Sequence, residues 1–262
     1  MTLWLAFLLV AFIVDPASMA TPQGHGSPDP DGKQTIVLVH GAWGGSWAFR
    51  EVDSIMTARG YRFYRPQLTG QGERVHLASP DIDLALHIQD VVNVILYEEL
   101  TDIVLVGHSY GGMVITGVAD RIPERLRQLV YIDAFLPDDG QSLITLLGDN
   151  TGWIERMTRD GFVVPAWVPE GQQPPSDVPQ SVKTFQQPVS FAHPVARTLP
   201  GAYILTVDEG KNADQDDFAS QYARAKERGY TLYIMTADHN PEWSAPVKLA
   251  DLLEQCVLAT KE

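Results

Sequence analysis

A chain of 262 residues, 45% of them hydrophobic, can bury one large α/β core or two smaller ones. Its formal charge of −14 argues against a nucleic-acid partner, which requires clustered Lys and Arg, and makes a poor match to an anionic membrane surface. The single cysteine, Cys256, excludes an internal disulfide and any cysteine-rich metal site.

Residues 3–14 are an unbroken apolar run, too short for a comfortable membrane span. Asp15-Pro16 and Ser18-Met19-Ala20 follow, with small residues before a cleavage point after Ala20. This is the outline of a secretory signal peptide over residues 1–20. It predicts a secreted or periplasmic protein whose mature chain makes no stable membrane insertion. A basic n-region is missing, so an uncleaved anchor or a cytoplasmic chain with a misplaced start is the alternative. Residues 21–33, rich in Gly, Pro, Asp and Ser, read as a linker.

From residue 34 strands and helices alternate, which implies a mostly parallel sheet with helices on both faces. The apolar run 35–39 reads as a buried parallel strand. A helical pattern over 46–59 stops at Gly60. A strand over 61–64 ends before Pro66, and apolar residues at helical spacing predict a long helix over 84–100. Strand 103–106 leads into Gly107-His108-Ser109-Tyr110-Gly111 and a helix-competent run over 113–119. G-x-S-x-G between a strand and a helix is the nucleophile elbow, a strained turn that exposes the serine oxygen. The next strand, 129–132, ends at Asp133.

The alternation breaks over 135–197, where prolines and aromatics crowd a segment too long for a simple connection. It reads as a cap inserted over a pocket, with Trp43 and Trp167 as candidate wall residues. The alternation resumes with strand 202–207, helix 217–228, strand 231–235 and a final helix over 245–258.

A serine hydroxyl needs an adjacent base, which in turn needs an orienting acid. His239, just past the last predicted strand, is the candidate base for Ser109. The acid has three candidates. Asp208 and Glu209 follow strand 202–207, with Asp208 the first choice, and Asp133 ends strand 129–132. Backbone amides of Tyr110, after the nucleophile, and of Ala42, in His40-Gly41-Ala42-Trp43-Gly44-Gly45, are the candidate oxyanion donors. The acidic cluster Asp214, Asp216 and Asp217 lacks calcium-loop spacing and reads as charge at a helix start.

Val39-His40-Gly41-Ala42-Trp43-Gly44-Gly45-Ser46-Trp47, Leu68-Thr69-Gly70-Gln71-Gly72-Glu73-Arg74, the Ser109 elbow and Asp133-Ala134-Phe135-Leu136-Pro137 together resemble the α/β-hydrolase esterases near the plant methylesterase and hydroxynitrile lyase branch, bacterial carboxylesterases included. The resemblance covers about residues 34–258. It implies an α/β-hydrolase fold with a core over 34–134 and 198–262 and a cap over 135–197. The implied activity is hydrolysis of carboxylic esters by Ser109 and His239, without cofactor or metal, and the aromatics of the cap suggest small apolar or aromatic substrates. Counted from Tyr203, the family's usual acid position falls on Glu209, with Asp208 one place earlier, while the placement of Asp133 resembles that in haloalkane dehalogenases. Hydroxynitrile lyases of this branch carry a lysine directly after the histidine, where this chain has Asn240, which favours hydrolysis over a C–C lyase. A non-catalytic ligand-binding protein on the same fold is the remaining alternative. Oligomeric state is not legible from these residues.

Overall fold

In the computed structural model, which describes residues 34–259, the alternation resolves into a six-stranded parallel sheet. The expected signal peptide and linker lie outside the described residues. β1 (Thr35–Val39) is buried throughout, as its apolar run requires. The expected helix over 46–59 starts as a 3₁₀ turn over Ser46–Phe49 before α1 (Arg50–Ala58). β2 (Arg62–Tyr64) is followed by α2 (Leu84–Tyr97), whose N-cap Asp83 accepts from the Leu86 amide at 2.9 Å.

β3 (Ile103–His108), α3 (Gly111–Arg121) and β4 (Leu126–Ile132) form the centre of the molecule. After β4 the chain leaves the sheet. It makes α4 (Leu143–Leu147), α5 (Gly152–Met157), a small antiparallel sheet of β5 (Thr158–Arg159), β6 (Phe162–Val163) and β7 (Gln180–Ser181), and α6 (Lys183–Gln186). The main sheet resumes with β8 (Gly201–Val207), α7 (Ala219–Glu227) and β9 (Thr231–Thr236). The expected C-terminal helix is two helices, α8 (Pro241–Ser244) and α9 (Pro246–Ala259). The break falls at Ala245, with φ −152°, because Pro246 crowds the preceding residue out of the helical region.

The strand order is β2-β1-β3-β4-β8-β9. One core, containing Val52 and Met56 of α1 and Leu249 and Leu253 of α9, covers one face. The other, containing α2, α3 and Ala225 of α7, covers the opposite face and runs on into Phe185 and Val189 of the inserted segment. The insert is thus packed onto the sheet's own core. Trp43 makes a second attachment. Its amide donates to Gln180 Oε1 (2.9 Å), its carbonyl accepts from the Val178 amide (2.8 Å), and its indole N–H donates to the Val163 carbonyl (3.0 Å).

Candidate active site

β3 ends at His108 and α3 begins at Gly111, so Ser109 and Tyr110 must turn the chain. Ser109 does so at φ 53°, in the left-handed region that a residue with a side chain rarely occupies. Hydrogen bonds hold it there: its amide donates to the Ile132 carbonyl, and its own carbonyl accepts from the Gly112 and Phe135 amides, all at 3.1 Å. The flanking glycines are required by contact. A Cβ on Gly107 would lie 2.7 Å from the Gly111 oxygen, and one on Gly111 would lie 2.5 Å from the Val39 oxygen. Neither gap admits a methyl group.

The strands β3 and β4 end in register, with His108 beside Ile132. Ser109 and Asp133 are therefore the first residues past the ends of two neighbouring strands. Asp133 also turns through the left-handed region, at φ 42°, and its amide donates to the Ile204 carbonyl at 2.8 Å. That turn directs its carboxylate along the sheet toward the loop after β9. There His239 Nδ1–H donates to Asp133 Oδ2 at 2.6 Å, and His239 Nε2 accepts from Ser109 Oγ–H at 3.0 Å. The other Asp133 oxygen accepts from the Thr206 amide at 3.2 Å, so a buried carboxylate has donors on both oxygens. This pairing fixes the histidine tautomer with its free lone pair on the serine. Burial alone would lower the His239 pKa; the hydrogen bond and charge of Asp133, supported by Glu242 and Asp216, reverse the sign and raise it.

The first-choice acid is corrected by this geometry. Asp208 does not meet His239. It continues outward from β8 with its side chain 47% exposed and pairs with Lys211 at 2.6 Å, and Glu209 beside it is exposed. The loop after β8 supplies Phe218 instead, whose ring stacks on the imidazole with centroids 5.0 Å apart. Among the three carboxylates weighed from the sequence, the structure brings only Asp133 to the histidine.

Two histidines whose side chains had no expected role support the site. His108 Nε2–H donates to the His239 carbonyl at 2.8 Å, tying the base loop to the elbow. His40 Nδ1–H donates to the Gly41 carbonyl at 2.8 Å, while its Nε2 accepts from Gln67 at 3.1 Å. Burial holds both neutral, lowering His40 to about 4 and His108 to about 3. The signal for both lay in the sequence, as the histidines beside Gly41 and Ser109. Among the described residues neither the Ala42 nor the Tyr110 amide has an acceptor, which leaves both N–H groups available beside Ser109. The Tyr110 side chain points the other way, its hydroxyl donating to His87 Nδ1 at 2.9 Å.

Two cavities meet at Ser109. The first, about 410 Å³, has Trp43, Trp167, Trp243, Phe49, Asp177 and Glu242 in its wall. The second, about 440 Å³, lies under the insert and is walled by Leu143, Leu146, Leu147, Trp153, Phe185 and Phe218. Ala42, Trp43, Ser109 and His239 border both. Trp43 and Trp167 thus occupy the wall positions expected of them. Trp167 is 56% exposed at the rim, edge-on to Trp43 at 5.1 Å. Sequence reasoning missed Glu242 and Asp177, which lie in no motif.

Comparison with known proteins agrees with this architecture. The model of the Alpha/beta hydrolase family matches residues 36–252. A carbendazim hydrolyzing esterase from Nocardioides sp. (strain SG-4G) is 54% identical over 112 residues, 43% of this chain and 46% of that protein. Methylesterase 2 from Arabidopsis thaliana is 31% identical over 112 residues, 42% of this chain and 43% of that protein. The matched part thus spans less than half the length of these curated relatives. The structure of an extracellular alpha/beta-hydrolase from a Paenibacillus species superposes with a TM-score of 0.71, covering 86% of this chain and 99% of the other at 20% identity.

Proposed function

Because this chain belongs to the alpha/beta hydrolase family, we propose that it is a serine esterase that cleaves small carboxylic esters through an acyl-enzyme. The observation that carries this reading is the continuous contact from Asp133 through His239 to Ser109, at 2.6 and 3.0 Å. In that geometry Ser109 Oγ attacks the ester carbonyl while its proton passes to His239 Nε2. Asp133 keeps Nδ1 protonated and stabilises the imidazolium that forms. The Ala42 and Tyr110 amides face the oxyanion, a role worth roughly 3–4 kcal/mol per donor. The imidazolium then returns its proton to the leaving alkoxide. Water, deprotonated by the same nitrogen, attacks the acyl carbonyl and frees Ser109.

The two cavities support a bipartite substrate, with the scissile carbonyl at Ser109 and the acyl and alcohol halves running into opposite lobes. Their aromatic and aliphatic walls favour apolar or aromatic halves of modest size. The names of the esterases among the relatives support the same reaction class.

The test is turnover of p-nitrophenyl acetate by wild type and three variants. Ser109→Ala is expected to reduce kcat by about a millionfold. Asp133→Asn, which removes the tautomer control, is expected to reduce it by about ten-thousandfold. Asp208→Asn, which removes only an exposed ion pair with Lys211, is expected to leave kcat within about twofold. Full activity in Ser109→Ala would remove the proposed chemistry, and a larger loss in Asp208→Asn than in Asp133→Asn would remove the assigned acid.

A further inference from the structure

The first cavity holds a buried acid that the ester chemistry leaves unused. Glu242 is 3% exposed, yet among the described residues its Oε2 has no hydrogen-bond partner. The acids around it are satisfied. Asp177 Oδ2 accepts from the Trp167 indole N–H at 2.8 Å, and Asp238 Oδ1 accepts from the Asn240 amide at 2.9 Å and the Ser244 hydroxyl at 2.8 Å. Burial pushes the Glu242 carboxyl up to about 7, as expected of an acid withdrawn from water with too few donors around it. Natural proteins rarely leave such an oxygen unpaired, because burial removes its water without replacing the hydrogen bond, so an oxygen of this kind in a cavity wall calls for a partner.

The rest of the wall defines that partner. With Asp177 and Glu242 in it and neither Lys nor Arg among its lining residues, the lobe repels anions and suits a donor. The rings of Trp43, Trp167 and Trp243 border it, which suits a flat aromatic frame. We infer that Glu242 is a specificity-determining residue, accepting a hydrogen bond from an N–H group carried by the aromatic half of the substrate that enters this lobe. The inference rests on the esterase reading, since it is Ser109 at the junction that makes the lobe hold one half of an ester.

Matched esters test it on both halves: 4-aminophenyl acetate against 4-methylphenyl acetate, and methyl 4-aminobenzoate against methyl 4-methylbenzoate. Within each pair the amino-to-methyl ratio of kcat/KM is compared between wild type and Glu242→Leu. The comparison cancels both the intrinsic reactivity of the esters and the fraction of folded enzyme. One pair, the one whose aromatic half enters this lobe, is expected to lose at least about tenfold of its ratio in the variant, and the other to keep it. Ratios that move less than about twofold in both pairs overturn the inference. A second measurement needs no variant. Indole is expected to inhibit wild-type turnover of p-nitrophenyl acetate at least about tenfold more strongly than benzofuran, its isostere without an N–H; equal inhibition overturns the inference. A wild type inert toward every ester, p-nitrophenyl acetate included, removes the esterase reading and this inference with it, whereas normal turnover with flat ratios removes this inference alone.

Discussion

An imidazole held between a buried carboxylate and a serine hydroxyl binds its proton more tightly than a free one. Because the environment of His239 raises its pKa, the ring is protonated, and unable to accept from Ser109, at pH values where an ordinary histidine is neutral. The kcat/KM of p-nitrophenyl acetate hydrolysis is therefore expected to fall as pH falls, along an acid limb with its midpoint above about 6.5. A midpoint below that value would mean that burial of the ring outweighs its contact with Asp133. At this scale the sequence was uneven. Ser109 and His239 were legible because a motif and a position after the last strand named them. The acid was not, because both candidate strands end in a carboxylate, and composition does not say which one turns inward. That choice is made by backbone: Asp133 reverses at φ 42° and is held by β8, while Asp208 runs on into solvent to Lys211. Glu242 was illegible for a related reason. It is one acidic residue in a four-residue helix, and only tertiary packing leaves its oxygen without a donor.

Elements were legible where they were long and periodic. The strands and helices of the sheet appear close to their predicted places, with ends displaced where a local rule intervened, such as Pro246 dividing α8 from α9. The insert was legible only as an interruption. Strands of two residues and helices of four to six carry no measurable periodicity. Its attachment rests on Trp43, which occupies φ 61° and touches Trp153, Trp167 and Phe185 with centroids 6.0, 5.1 and 5.7 Å away. Trp43→Phe keeps a ring among these neighbours and loses the indole bond to Val163, so a cost of about 1 kcal/mol in urea-unfolding stability is expected, with little change in KM. Trp43→Ala removes the ring from both lobes. It is expected to raise KM by about tenfold or more, the equivalent of roughly 1.4 kcal/mol of lost contact. Equal KM values for the two variants would show that the ring holds the insert and does not touch substrate.

Across the whole molecule, the sheet divides two cores, and Cys256 of α9 belongs to the one remote from the insert, fully buried. Burial pushes its thiol up to about 12, so it is both inaccessible and un-ionised near neutral pH. As the only cysteine of the chain it reports opening of this core. Labelling by a thiol-disulfide reagent is expected to be negligible in the native protein and to follow urea unfolding with the same midpoint as circular dichroism. Labelling at lower urea would mean that α9 detaches before the sheet unfolds. The pairing of β3 with β4 has a further consequence. With the nucleophile and its acid at the tips of adjoining strands, their separation is set by a single ladder of backbone hydrogen bonds. The stretch from Asp208 to Asn212 makes no hydrogen bond to Asp133, His239 or Ser109, and becomes a place where tags or short insertions can be grafted at the rim of the cleft while the contacts among those three stay intact.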